Sequence, residues 1–99
     1  MTRVNASDFE GMVKVPQSSV GVFESIVREL MRAETKHPDW PTDPIHAGAI
    51  VSEEAGELIR ECLQISYEEG DKKLAAKEAI QTAVTAIRFL QNLDSYELQ

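Results

Sequence analysis

Residues Asp43–Glu69 read DPIHAGAIVSEEAGELIRECLQISYEE. Asp43 followed by Pro44 is a helix start: an acceptor side chain at the N-cap, then a residue whose missing N–H is no loss in the first turn. At about 100° per residue, Glu53 and Glu57 stand within about 40° of each other, and Glu54 lies about 60° beyond Glu57. Three carboxylates therefore share one side of the helix. Val51, Ala55, Leu58, Ile59 and Cys62 face away from them, so the stretch predicts a helix buried on one flank and acidic on the other. On this reading Cys62 is a buried core thiol.

The chain on either side repeats the helical period. Phe23, Ile26, Val27, Leu30 and Met31 recur at spacings of three and four, with Glu24, Arg28, Glu29 and Arg32 opposite them. This predicts a first helix over Val20–Lys36 with Ser18 or Ser19 as N-cap. HPDWPTDP, with Pro38, Pro41 and Pro44, predicts a rigid loop. The second helix is expected to run to about Glu69, with Gly70 supplying a left-handed residue and Asp71 capping the next helix. A third helix is expected from Lys72 to about Leu93, carrying Leu74, Ile80, Val84, Ile87 and Leu90 on its apolar side. Residues 1–17 read as an N-terminal arm, 18–93 as one helical domain and 94–99 as a frayed or partly docked tail.

A chain of 99 residues holds one core. An apolar fraction of 42% with 6% aromatic residues, five Gly and four Pro suits an aliphatic all-α domain. Its second and third helices are long for its size, so part of their apolar surface calls for a second copy: a homodimer or homotetramer forming a four-helix-type bundle. The net charge of −7 argues against nucleic acid and anionic membranes as partners. With one cysteine, no apolar run suited to a signal peptide and no stretch of membrane-spanning length, the expected location is the cytoplasm.

A run of glutamates on a helix is most often a solvated face. Here a second acid, Glu78, with Gln81 one turn on, follows a tight turn. Counted outward from Gly70, Glu57 and Glu78 differ in level by about 7.5 Å, a gap that two side chains sharing a cation bridge; Glu61 lies nearer the level of Glu78. Without a cation such a cluster repels itself and raises carboxylate pKa values.

The pattern Glu54-Ala55-Gly56-Glu57, inside EEAGEL, followed by Glu78-Ala79-Ile80-Gln81, resembles the E-x-x-E and E-x-x-D signature of the MazG-like all-α nucleoside triphosphate pyrophosphohydrolases, relatives of the dimeric dUTPases. The resemblance runs from about Trp40 to Leu93. Gln81 stands where that family has Asp, so a cation there has one anionic ligand fewer. The resemblance implies a hydrolase that releases pyrophosphate and a nucleoside monophosphate from canonical or non-canonical triphosphates, with Mg²⁺, or Mn²⁺ in its place, held by Glu54, Glu57, Glu78 and Gln81. It implies Glu53 as the group that orients water, and His46, Trp40 and Lys77 as substrate contacts. On their own chemistry His46 is a surface or capping residue, Trp40 a loop anchor and Lys77 a surface charge. Two other readings stay open: a nucleotide-binding regulatory module without turnover, and an acidic helical adaptor that needs no metal.

Overall fold

The Asp43 carboxylate accepts the Ile45 N–H at 3.0 Å, with Pro44 in the first turn, and α2 spans Pro44–Tyr67. Asp71 does the same for the next helix, accepting the Lys73 N–H at 2.8 Å, and α3 spans Lys72–Gln91. The first helix, α1, spans Val20–Lys36 as the periodicity predicts. A computed structural model describes residues 14–98 of the chain; most of the expected N-terminal arm, residues 1–13, lies outside them. Among the described residues there is no strand, and short 3₁₀ turns at Gln17–Ser19 and Leu93–Ser95 flank the helices. No helix among them is long and apolar enough to cross a membrane.

The middle helix of the packing is α3, with α2 antiparallel on one side and α1 on the other. Glu29 of α1 meets Gln81, Glu34 meets Gln91, and Arg88 reaches the carbonyl of His37, so α1 and α3 run in the same sense. The core sits toward the C-terminal half of α3, where Val84, Thr85 and Arg88 are buried, along with Ala47 of α2. Among the described residues only Ala47 and Val84 are apolar residues in full burial.

Several local expectations change. Ser19 occupies the N-cap of α1, but its side chain makes no capping bond, because the 3₁₀ turn before it already leads the backbone into the helix. The left-handed residue after α2 is Glu69, with φ 55°, and not Gly70. Gly70 is needed for a different reason: a Cβ there would lie 2.7 Å from the backbone of Gln64. The N–H groups of Glu68 and Gly70 both bond the carbonyl of Gln64 at 2.9 Å. The connection thus folds back onto α2.

Cys62, expected in the core, is exposed. Within one chain α1 covers α3 and leaves the outer flank of α2 bare, so Ile59 is 61% exposed and Leu63 53% beside it. The apolar face of α1 divides similarly: Ile26 and Leu30 are half-buried, while Phe23, Val27 and Met31 are at least half exposed.

The last helix ends at Gln91, two residues short of Leu93, and the C-terminal segment is docked rather than frayed. Tyr96 packs its ring on Phe89 at 4.9 Å, accepts the Trp40 Nε1–H at 2.8 Å and donates its own O–H to the Phe89 carbonyl at 3.0 Å. The Glu97 N–H donates to the Thr42 carbonyl at 2.9 Å, which ties the tail to the proline loop.

Candidate functional site

The fold-back of Gly70 onto Gln64 sets the register of the hairpin. Levels count from Gln64, so Glu78, eight residues after Gly70, falls beside Gly56, eight before Gln64. Glu78 therefore faces Glu54 and Glu57, and the sequence estimate that put Glu61 nearest its level is corrected. Glu54 and Glu78 come close enough for their carboxyls to share a hydrogen bond.

A cleft of ≈ 530 Å³ opens here between α2, α3, the end of α1 and the proline loop. Glu54, Glu57, Lys77, Glu78, Gln81 and Trp40, six of the residues picked from the sequence, all line it. Glu53 and His46 do not: both are exposed on α2 and lie outside its lining. Glu53 acts on the cleft only through its charge, which is felt at Glu54. His46 sits in the first turn of α2, consistent with a surface residue.

The electrostatics of the acidic wall are unbalanced. Burial pushes the Glu54 carboxyl above its ordinary value of 4.5, and the Glu78 charge and hydrogen bond, then the charges of Glu57 and Glu53, push it the same way. Glu57 pairs with Arg60 at 3.1 Å, a partly exposed contact on its own helix. Among the described residues no group of three or more His, Cys, Asp or Glu side chains is gathered in a metal-holding arrangement. Mutual repulsion and the pull of Arg60 on Glu57 both act against such gathering.

Beside the cleft, in the lining of a neighbouring groove between α1 and α3, stands a group that the sequence reading did not single out. Glu29 of α1 receives Arg32 Nε at 2.8 Å and Nη2 at 2.5 Å, and Gln81 Nε2 at 2.5 Å. The hydrogen bond from Arg32 holds its carboxyl below the ordinary 4.5, helped by Gln81 and Lys77 against the effect of burial. Because Gln81 donates its amide N–H to Glu29, its Oε1 is left without a hydrogen-bond partner among the described residues. Glu29 looks in sequence like any polar-face residue of α1; only the Arg28, Arg32, Lys36 stripe around it signals a second functional face.

Arg88 closes the cleft from below. It is 7% exposed, donates Nη2 to the His37 carbonyl at 2.7 Å, and stacks its guanidinium 5.0 Å from the Trp40 ring centre. Trp40 is thus held by Arg88 on its face and Tyr96 at its nitrogen, which favours the loop-anchor reading over a free base platform.

The donor set fits a hard divalent cation by its chemistry: three carboxylates and one amide oxygen border one cleft, and the charge of Glu54 is disfavoured by burial and then by negative neighbours that a cation would offset. No protein-family model, curated protein or solved structure matches the chain.

Proposed function

We propose that the chain is a MazG-like pyrophosphohydrolase, which cleaves nucleoside triphosphates to monophosphate and pyrophosphate with Mg²⁺. The observation that carries the reading is that Glu54, Glu57 and Glu78 line one cleft, with the Glu54 carboxyl raised by burial and then by its acidic neighbours. Glu54, Glu57 and Glu78 are the residues that would hold the cation, with Gln81 offering its amide oxygen. Bound there, Mg²⁺ would neutralise phosphate charge and lower the pKa of a coordinated water.

The chain's own residues do the positioning. Glu29 fixes the Gln81 amide with its oxygen unbonded, so the neutral residue is oriented where a charged one would need no such help. Lys77 and Arg32, on the cleft wall, offer positive charge to a phosphate chain, while Arg88 and Trp40 hold the proline loop that forms its rim. Glu53, outside the lining, adds negative charge to Glu54, and its assignment to water belongs to the family resemblance. We assign the active species to a homo-oligomer in the cytoplasm. The exposed apolar residues Phe23, Val27 and Met31 of α1 and Ile59 and Leu63 of α2 support association, since burying each would stabilise the assembly by roughly 1–2 kcal/mol.

The experiment is a panel of canonical and modified triphosphates assayed for pyrophosphate release at neutral pH with Mg²⁺, Mn²⁺ or EDTA. Metal-dependent release from at least one of them is the expected result. Triphosphate binding without release, restored to turnover by Gln81→Asp, would favour a regulatory nucleotide-binding module instead.

A further inference from the structure

The cations of this chain are placed as unevenly as its acids. Of ten Lys and Arg residues, five line one groove of ≈ 740 Å³ between α1 and α3: Arg28, Arg32 and Lys36 from one helix, Lys73 and Lys77 from the other. Each set recurs every four residues, which puts it on one stripe of its helix. Glu29 is the one carboxylate in the lining, and Arg32 already binds it. No direct ion pair among the described residues involves Arg28, Lys36, Lys73 or Lys77; Lys77 acts on Glu29 through its charge alone. In a chain with 17 Asp and Glu and a net charge of −7, these like charges gather around one concavity with a single carboxylate in its lining, while neutralising groups abound elsewhere.

We infer that this groove is a binding site for a chain of phosphates, held by Arg28, Lys36, Lys73 and Lys77 without a metal ion. A single phosphate reaches only some of cations spread along two helices, whereas a linear chain of two or three offers an oxyanion to each. Arginine supplies a forked donor and lysine a mobile point charge, the two usual partners of phosphate oxygens. An acidic peptide is the poorer occupant: peptide recognition relies on apolar anchors, and Ala76 and Ile80 are all this groove has to give. The groove borders the acidic cleft and shares Arg32, Lys77 and Gln81 with it. The inference rests on the groove's own charges and not on the hydrolysis proposed above.

Calorimetric titration of the full chain with inorganic tripolyphosphate, in EDTA at low salt, tests it. The expected result is saturable binding that weakens as salt is added. Lys36→Glu together with Lys73→Glu should lower affinity at least tenfold, the Gln pair at the same positions by less, and Lys14→Gln, outside the groove, should leave it unchanged. A nucleoside triphosphate in the same buffer distinguishes the source of the phosphates. Equal affinity means that the phosphates alone are recognised, tighter binding that they are read as a nucleotide's tail, and either result upholds the site. Absence of binding by both anions, persistence of binding in both double variants, an equal loss in Lys14→Gln, or equal competition by an oligoglutamate peptide would overturn it. Pyrophosphate release with Mg²⁺, measured separately, shows whether the hydrolytic reading stands or falls independently.

Discussion

Glu54 lines the acidic cleft with Gln81, Glu29 holds the Gln81 amide from the neighbouring groove, and the two carboxyls are displaced in opposite directions. Glu54, half-buried beside Glu78, Glu57 and Glu53, holds its proton more tightly than an ordinary glutamate. Glu29, its side chain 19% exposed, is gripped by Arg32 and Gln81 and holds its proton less tightly. Burial raises both; what separates them is the partner. The α1 carboxylate has its counter-charge built into the fold, whereas the α2 carboxylate faces like charge, which under the proposed function a cation would offset. The difference teaches where the chain is finished by folding and where it is arranged for something else.

The change that should break this contrast most severely is Glu54→Gln. It removes the charge around which the acidic wall is arranged, and pyrophosphate release should fall by about a hundredfold or more, since losing even the supporting partners of a metal ligand costs about 10–100-fold. The metal-free fold should hold or gain in melting temperature, because a repelling charge is gone. Gln81→Asp sharpens the contrast from the middle. A fourth carboxylate should raise Mg²⁺ affinity by about tenfold while losing the amide donor to Glu29, so melting temperature should drop without metal and recover with it. Calorimetry and thermal melts on the same samples read both arms.

Glu29→Gln tests the other carboxyl. If Glu29 only orients Gln81, metal affinity should weaken by about tenfold, the lower end of the range for such supporting contacts, with the preference between Mg²⁺ and Mn²⁺ unchanged.

The helices themselves were legible before any coordinates, because period, proline and capping are local. Val20–Lys36 follows from the spacing of Phe23 through Met31, and Asp43–Pro44 and Asp71 mark helix starts that their hydrogen bonds confirm. The acids Glu54, Glu57 and Glu78 were also legible as one cluster, but not which of them meet. That depends on Gly70 folding back onto Gln64, a backbone contact that shifts the hairpin register and leaves no trace in side-chain spacing. Glu29 was missed because its partner Gln81 lies on another helix, and packing, not periodicity, brings them together. Cys62 is exposed for a related reason: within one chain α1 packs on α3 and leaves uncovered a flank of α2, a helix part of whose apolar surface the sequence reading assigned to a second copy. The docking of Tyr96 under Trp40 likewise joins segments far apart in sequence.

The two carboxyls also predict opposite pH responses. For Glu54 the folded state binds the proton more tightly than the unfolded chain, so metal-free stability should decline as pH rises from the ordinary 4.5 through the raised value, and stay lower above it. For Glu29 the contribution is complete above the ordinary 4.5 and is lost as pH falls through the lowered value. Urea melts across acid to neutral pH should therefore show the first decline vanish in Glu54→Gln and the second in Glu29→Gln. The smallest effect is expected away from both carboxyls. Tyr96→Phe deletes the hydrogen bonds to Trp40 and Phe89 and should cost about 1–2 kcal/mol of stability with metal affinity unaltered; a change in affinity would tie the loop anchor to the acidic wall.

The account stands most directly on Mg²⁺ itself. Calorimetric titration at mildly acidic pH, in two buffers of different ionisation enthalpy, reads both binding and the proton that a cation expels from Glu54. The prediction is saturable binding with proton release in the natural chain, abolished in Glu54→Gln and weakened but retained in Glu29→Gln. Binding that is unsaturable, or that is the same in all three, would contradict it.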